Sequence, residues 1–159
     1  MDLRAALAAA LLMASVAGCA HSKIPGSSID DTETNRNILK LVDEYQKAME
    51  RLDSDAVLTL VSPRFFEDNG NTDRSDDYDY EGLKASLEEQ FKITKKMQVE
   101  LRIDDIKVEE EAGKAFAFLH YSYRAQSEYP SGTKWKTDSD RVRLEFERRD
   151  GKWLILSGL

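Results

Sequence analysis

An intrachain disulfide is closed to this chain, because Cys19 is its one cysteine. Stability must therefore come from a packed core, with no intrachain bridge to help it. Histidine is nearly as scarce: His21 and His120 are the two present, and no zinc-type spacing, phosphate-binding glycine loop or G-x-S-x-G elbow accompanies them. No cluster of Lys and Arg interrupts a chain whose formal net charge is −7. That argues against nucleic acid, whose affinity rests on neutralising phosphates, and against a polybasic grip on anionic lipid. There is no internal repeat, and no apolar run reaches the roughly 20 residues of a membrane-spanning helix.

What is present begins with the first apolar stretch. Arg4 and the free amine form a short positive flank, weakened by Asp2, and residues 5–17 are almost wholly apolar. Too short to span, this stretch fits the central region of a secretory signal. Val16-Ala17-Gly18-Cys19 resembles the lipobox of bacterial lipoproteins. The resemblance implies cleavage before Cys19 and attachment of a diacylglycerol to its sulfur, with palmitate incorporation as the signature. Ala20, where aspartate would favour retention in the inner membrane, points to an outer-membrane anchor facing the periplasm. The alternative is an ordinary signal cut at Ala17. The expected organisation is a signal at 1–18, a lipidated cysteine and flexible tether at 19–33 around Pro25, Gly26, Ser27 and Ser28, and one domain at 34–159. His21 reads as a solvated tether residue.

Within the domain, Ile38, Leu41, Val42, Tyr45, Ala48, Met49 and Leu52 recur at helical spacing, which predicts a helix over 35–52 with Thr34 as its cap. Asp53-Ser54-Asp55 caps a second short helix that Pro63 stops. An acidic loop at 67–79 carries the Asn69-Gly70 turn. Leu83, Leu87 and Phe91 mark a third helix over 80–92, capped by Asp79. From Met97 the period becomes two. Strands are predicted from Met97 to Val108 with a bulge at Asp104-Asp105, over 114–126 and 133–148, and at Trp153–Leu156 after an Asp150-Gly151 turn. Three helices followed by four antiparallel strands make an α+β domain, expected as helices packed on a strongly curved, cone-shaped, cystatin-like roll.

The stretches LVDEYQKAMERLDSDAVLTLVSPRFFED (41–68) and GKAFAFLHYSY (113–123), with the closing RRDGKWLI, resemble the nuclear transport factor two-like superfamily, which includes ketosteroid isomerase and the SnoaL-like polyketide cyclases. The resemblance covers nearly all of residues 35–159. It implies that Tyr45 matches the family tyrosine on the first helix and that Asp68 lies within about one residue of the family base. The position of the acidic oxyanion partner holds Val142, so the set is incomplete unless Asp140 substitutes. It further implies a pocket face of Phe66, Phe116, Phe118, His120 and Ser122, with Val142, Leu144 and Phe146 also inward. His120 is a candidate general base; the plain alternative is a half-buried strand histidine. The plain alternatives for Tyr45, Asp68 and Asp140 are an apolar-face ring, a turn residue and a solvated strand residue. The acidic loop lacks EF-hand spacing, and neither a metal nor a cofactor is expected.

The superfamily holds enzymes, carriers and interaction modules, so the fold leaves function open. The leading expectation is a non-catalytic envelope lipoprotein, membrane-held through Cys19, whose cone binds a small apolar ligand or whose domain binds a protein. The alternative is a periplasmic isomerase, cyclase or hydrolase using Tyr45, Asp68 and His120. Ala117, Leu119, Tyr121 and Tyr123, with Ala115, read as an outer sheet face suited to a homodimer.

Overall fold

The computed structural model describes residues 22–159; Cys19, the segment before it and His21 lie outside the described residues. Helix α1 runs Glu33–Glu50 and turns Ile38, Leu41, Val42 and Ala48 into the core. Its cap is Thr32, not Thr34: the Thr32 hydroxyl accepts the Asn35 N–H at 3.1 Å, while the Thr34 hydroxyl donates to Glu110 at 2.6 Å. Glu33 then sits in the first turn, where the helix dipole favours a carboxylate. Thr32→Ala is expected to lower stability by about 1 kcal/mol in a urea titration, and Thr34→Ala by less. The helix closes with Leu52 in the left-handed region (φ 54). There its N–H reaches Met49 O and the Asp53 N–H reaches Ala48 O, both at 3.0 Å, the two bonds of a Schellman close.

Helix α2 (Ser54–Thr59) is capped by Asp53, and α3 (Tyr80–Ile93) by Asp79. Between them, strands β1 (Phe66–Glu67) and β2 (Tyr78–Asp79) pair antiparallel and clip the two ends of the acidic loop together. Sequence periodicity does not reveal two-residue strands. The main sheet has the order β3-β4-β5-β6, with β3 Thr94–Glu109, β4 Lys114–Tyr129, β5 Gly132–Arg149 and β6 Lys152–Ser157. All neighbours are antiparallel, and the register shifts between Ile103 and Asp105, where the bulge was expected. Asp150 (φ 49) and Gly151 (φ 77) turn the last hairpin in the left-handed region, as a type I′ turn requires.

The sheet margins differ. Beside β6, Val61 bridges Ile155, with Ile155 N–H to Leu60 O at 2.9 Å and Ser62 N–H to Ile155 O at 2.8 Å. On β3, Glu50 accepts the Val99 N–H at 3.1 Å and Ser28 donates to Asp104 O at 3.2 Å.

Residues 22–31 are not the flexible tether expected. Lys23 pairs with Asp30 both as a bridge and as a 2.7 Å ion pair, and Ile29 is 3% exposed in the core. Two isoleucines, Ile24 and Ile29, pack against the domain and hold the segment to it by apolar burial.

The expected faces of β4 are reversed. Ala115 and Ala117 are fully buried, and Leu119 is 2% exposed; they join Ile38, Leu144, Phe146 and Ile155 in the core beneath the helices. Phe116, Phe118, His120 and Ser122 therefore stand on the opposite, open face. The physical reason is proximity: alanines leave room for helices to lie against the sheet, while the volume comes from Leu119, Leu144 and Phe146. A homodimer face built on Ala117 and Leu119 is unavailable, since both are core residues.

Candidate functional site

The residues singled out in sequence occupy four separate places, and no hydrogen bond or ion pair between described residues joins any two of them. Tyr45 packs against the core from α1; burial, and then the neighbouring Tyr78, push its phenol well above the ordinary tyrosine range. A phenol so shifted stays protonated at neutral pH and can donate but not act as a base. Tyr78 is raised for the same reason, burial first and then the Glu67 charge, and its hydroxyl donates to Leu159 O.

His120 sits on the open face of β4 opposite Arg102 of β3 and Arg141 of β5. Its Nε2 accepts from Arg141 Nε at 2.8 Å, and Asp104 Oδ2 lies 3.1 Å from the same nitrogen. A cation and a carboxylate thus converge on one ring nitrogen. Asp68 is exposed in the loop and accepts the Gly70 N–H at 2.9 Å, a plain turn role. Asp140 is exposed on β5 and accepts the Arg141 N–H at 2.7 Å.

The pocket residues divide similarly. Leu144 (2% exposed) and Phe146 (0%) are core, and Val142 packs against them. Phe66 is 51% exposed. Phe116 and Phe118 lie under cations on the open face, with the Arg143 guanidinium 5.6 Å from the Phe116 ring and Lys107 Nζ 5.2 Å from that of Phe118. The ring face attracts each cation, so these aromatics contact cations on the open face and not the helix-covered core. Among the described residues no group of three or more His, Cys, Asp or Glu is arranged to hold a metal. The acidic loop instead spends its carboxylates on itself: Asp73 accepts the Ser75 N–H at 3.0 Å and Asp76 accepts from Asn71 at 3.0 Å.

Sequence reasoning missed one polar cluster. Glu147, 6% exposed, accepts from the Ser62 hydroxyl and from Arg64. Burial alone would raise its carboxyl, but those two hydrogen bonds and the charges of Arg64 and Arg149 outweigh it and hold the group below the ordinary glutamate range. It borders a surface recess of about 340 Å³ with Arg64, Lys114, Arg148 and Arg149. Each of those cations already has a carboxylate partner: Glu147 for Arg64, Glu145 for Lys114, Glu110 for Arg148 and Asp150 for Arg149. A second recess, about 220 Å³, lies between α1 and α2. Neither includes Tyr45, Asp68, His120 or Asp140. Glu147 carried no local signal, because the segment that buries it is 83–85 residues distant.

Comparison with solved structures places this architecture. A conserved protein from Planctomyces limnophilus superposes with a TM-score of 0.67 over 79% of this chain and 92% of its own, at 14% identity. An NTF-2 like protein of unknown function from Shewanella oneidensis gives 0.53 over 79% and 96%, at 15% identity. The fold is nuclear transport factor two-like. Enzymes share it: a hexachlorocyclohexane dehydrochlorinase (LinA) superposes with a TM-score of 0.59 over 79% of this chain and 82% of its own, at 14% identity. No protein-family model matches the sequence, and no curated protein does. At these identities the likeness is one of fold alone. No helix of the described residues is long and apolar enough to cross a membrane.

Proposed function

We propose that this nuclear transport factor two-like chain is a lipid-anchored cell-envelope protein whose domain is a non-catalytic interaction module. One observation carries the reading. The helix-covered face, where a cone-shaped pocket would open, is packed with Ile38, Leu119, Leu144, Phe146 and Ile155, all at or below 2% exposure, and the acid, base and phenol that catalysis would need stand apart. A packed interior supports binding through the surface over capture of a small apolar ligand. The anchor rests on Val16-Ala17-Gly18-Cys19 and supplies the membrane partner.

Native mass spectrometry of the full chain recovered from its own membrane tests both halves. The expected species begin at Cys19 and carry acyl chains, with no other small molecule retained. Labelled palmitate enters the wild type and is lost in Cys19→Ser. A bound small molecule of constant mass would overturn the non-ligand reading, and label surviving in Cys19→Ser would overturn the anchor.

A further inference from the structure

Strand β5 is 18 residues long, yet β6 pairs only with its last part, Glu145–Arg149. From Gly132 to Val142 one side of β5 is paired with β4, and no backbone of the described residues pairs with the other; beyond it Gly158 lies against Arg143 O, and two N–H groups of that margin are taken by side chains of β5 itself. Residues 131–141 are all exposed. Such a bare margin is a template for another strand unless it is blunted.

The direction of its backbone groups follows from two hydrogen bonds. The Ser139 N–H is taken by the Asp138 side chain at 2.9 Å and the Arg141 N–H by Asp140 at 2.7 Å. Alternate residues of an antiparallel strand turn both polar groups to the same side. The odd-numbered residues Trp135, Thr137, Ser139 and Arg141 thus address the bare margin. The even-numbered side chains between them, Lys134, Lys136, Asp138 and Asp140, share the other face of the strand and read Lys, Lys, Asp, Asp.

This charge order is antisymmetric about Thr137, and it makes the strand its own complement. We infer that the bare margin of β5 pairs with the same margin of a second copy, antiparallel, about a two-fold axis through Thr137. That register sets Lys136 opposite Asp138 and Lys134 opposite Asp140 of the second copy, and each pair recurs by symmetry. Thr137 faces Thr137, a β-branched pair suited to a strand. Two four-stranded sheets become one continuous sheet, with both helix layers on the same side. Competing alignments fail on charge. Moving the axis to position 136 puts Lys136 on Lys136, moving it to 138 puts Asp138 on Asp138, and an in-register parallel pairing repeats every like charge; like charges directly opposite are destabilising. The occupant is therefore a second copy and not an arbitrary peptide. The inference is independent of the anchor and of the absence of catalysis.

The test is sedimentation equilibrium of the full chain in density-matched detergent, which reads polypeptide mass. The wild type is expected to show a concentration-dependent dimer that salt weakens. Lys134→Asp with Lys136→Asp places four aspartates against four; Asp138→Lys with Asp140→Lys places four lysines against four. Each variant alone is expected to lose self-association by at least about tenfold, since opposed pairs become repulsive at every position. Mixed one to one, they restore every opposite-charge pair and are expected to form a mixed dimer. A monomeric wild type at all concentrations would overturn the inference and identify Asp138 and Asp140 as guards of a solitary edge. So would a wild type whose dimer survives in both variants, or variants that fail to combine.

Discussion

Glutamate in place of Leu119 is expected to unfold the domain, whereas glutamate in place of Phe118, one residue away, is expected to leave it folded. Leu119 is 2% exposed and lies between Ile103 and Val142 in the sheet register, so an introduced carboxylate there has neither water nor a cation. An unpartnered buried charge costs several kcal/mol, against a total stability of about 5–15 kcal/mol for a domain of this kind. Phe118 stands on the open face near Lys107. Its replacement gives up a cation–ring contact worth about 0.5–1 kcal/mol and presents a carboxylate to that lysine and to Arg143, its register neighbour. Far-ultraviolet circular dichroism and thermal melts of the two variants decide the matter. If the Phe118 variant unfolds and the Leu119 variant melts like the wild type, the two faces of β4 have been assigned the wrong way round.

The second large effect is expected at Glu147. Alanine there strips the fully buried Ser62 hydroxyl of its acceptor and Arg64 of its partner. The freed arginine is 65% exposed and recovers water, so the loss is set mainly by the stranded serine and the missing charged bond, about 1–3 kcal/mol. The pH dependence follows from the direction of the shift. The folded carboxyl is held below the ordinary glutamate value of 4.5, so the unfolded chain binds the proton more readily. The stabilisation is complete above the unfolded value and is lost as pH falls through the depressed folded value. Urea titrations should show a wild-type advantage over Glu147→Ala that is level above about pH 6 and shrinks below the unfolded value. An advantage that persists unchanged into strong acid would mean that the ionised carboxylate is not its source.

These two residues also mark where sequence is informative. The helices were legible because their apolar positions repeat cleanly and Asp53 and Asp79 cap them. The Asp104 bulge was legible as a slip of phase, and the last hairpin as Asp150-Gly151. Strand β4 was not, because KAFAFLHYSY carries bulky side chains on both faces and the aromatics drew the interior towards themselves. The information was nevertheless present. Pro130 and Ser131 make a two-residue connection, with Tyr129 opposite Gly132; counting back from that turn sets Leu144 opposite Ala117 and Phe146 opposite Ala115. Once Val142, Leu144 and Phe146 are placed inward, Ala115, Ala117 and Leu119 must go with them, because residues opposite one another share a face. Missing that single step placed His120 inward with Phe116 and Phe118, whereas the register carries all three to the open face. Glu147 was illegible for a different reason: its burial depends on a chain crossing far away in sequence, which no local pattern encodes.

The sheet's margins carry a consequence for how far any assembly can extend. The β6 margin is taken by the backbone of residues 60–62, and two points on the β3 margin are taken by Glu50 and Ser28. The inferred pairing uses the β5 margin from Gly132 to Val142. A pairing about a two-fold axis uses the same margin on both copies, so it saturates after a single addition: the two margins satisfy each other and offer nothing to a third. Fibre growth needs two complementary vacancies on every subunit, so pairing through the β5 margin alone is self-limiting.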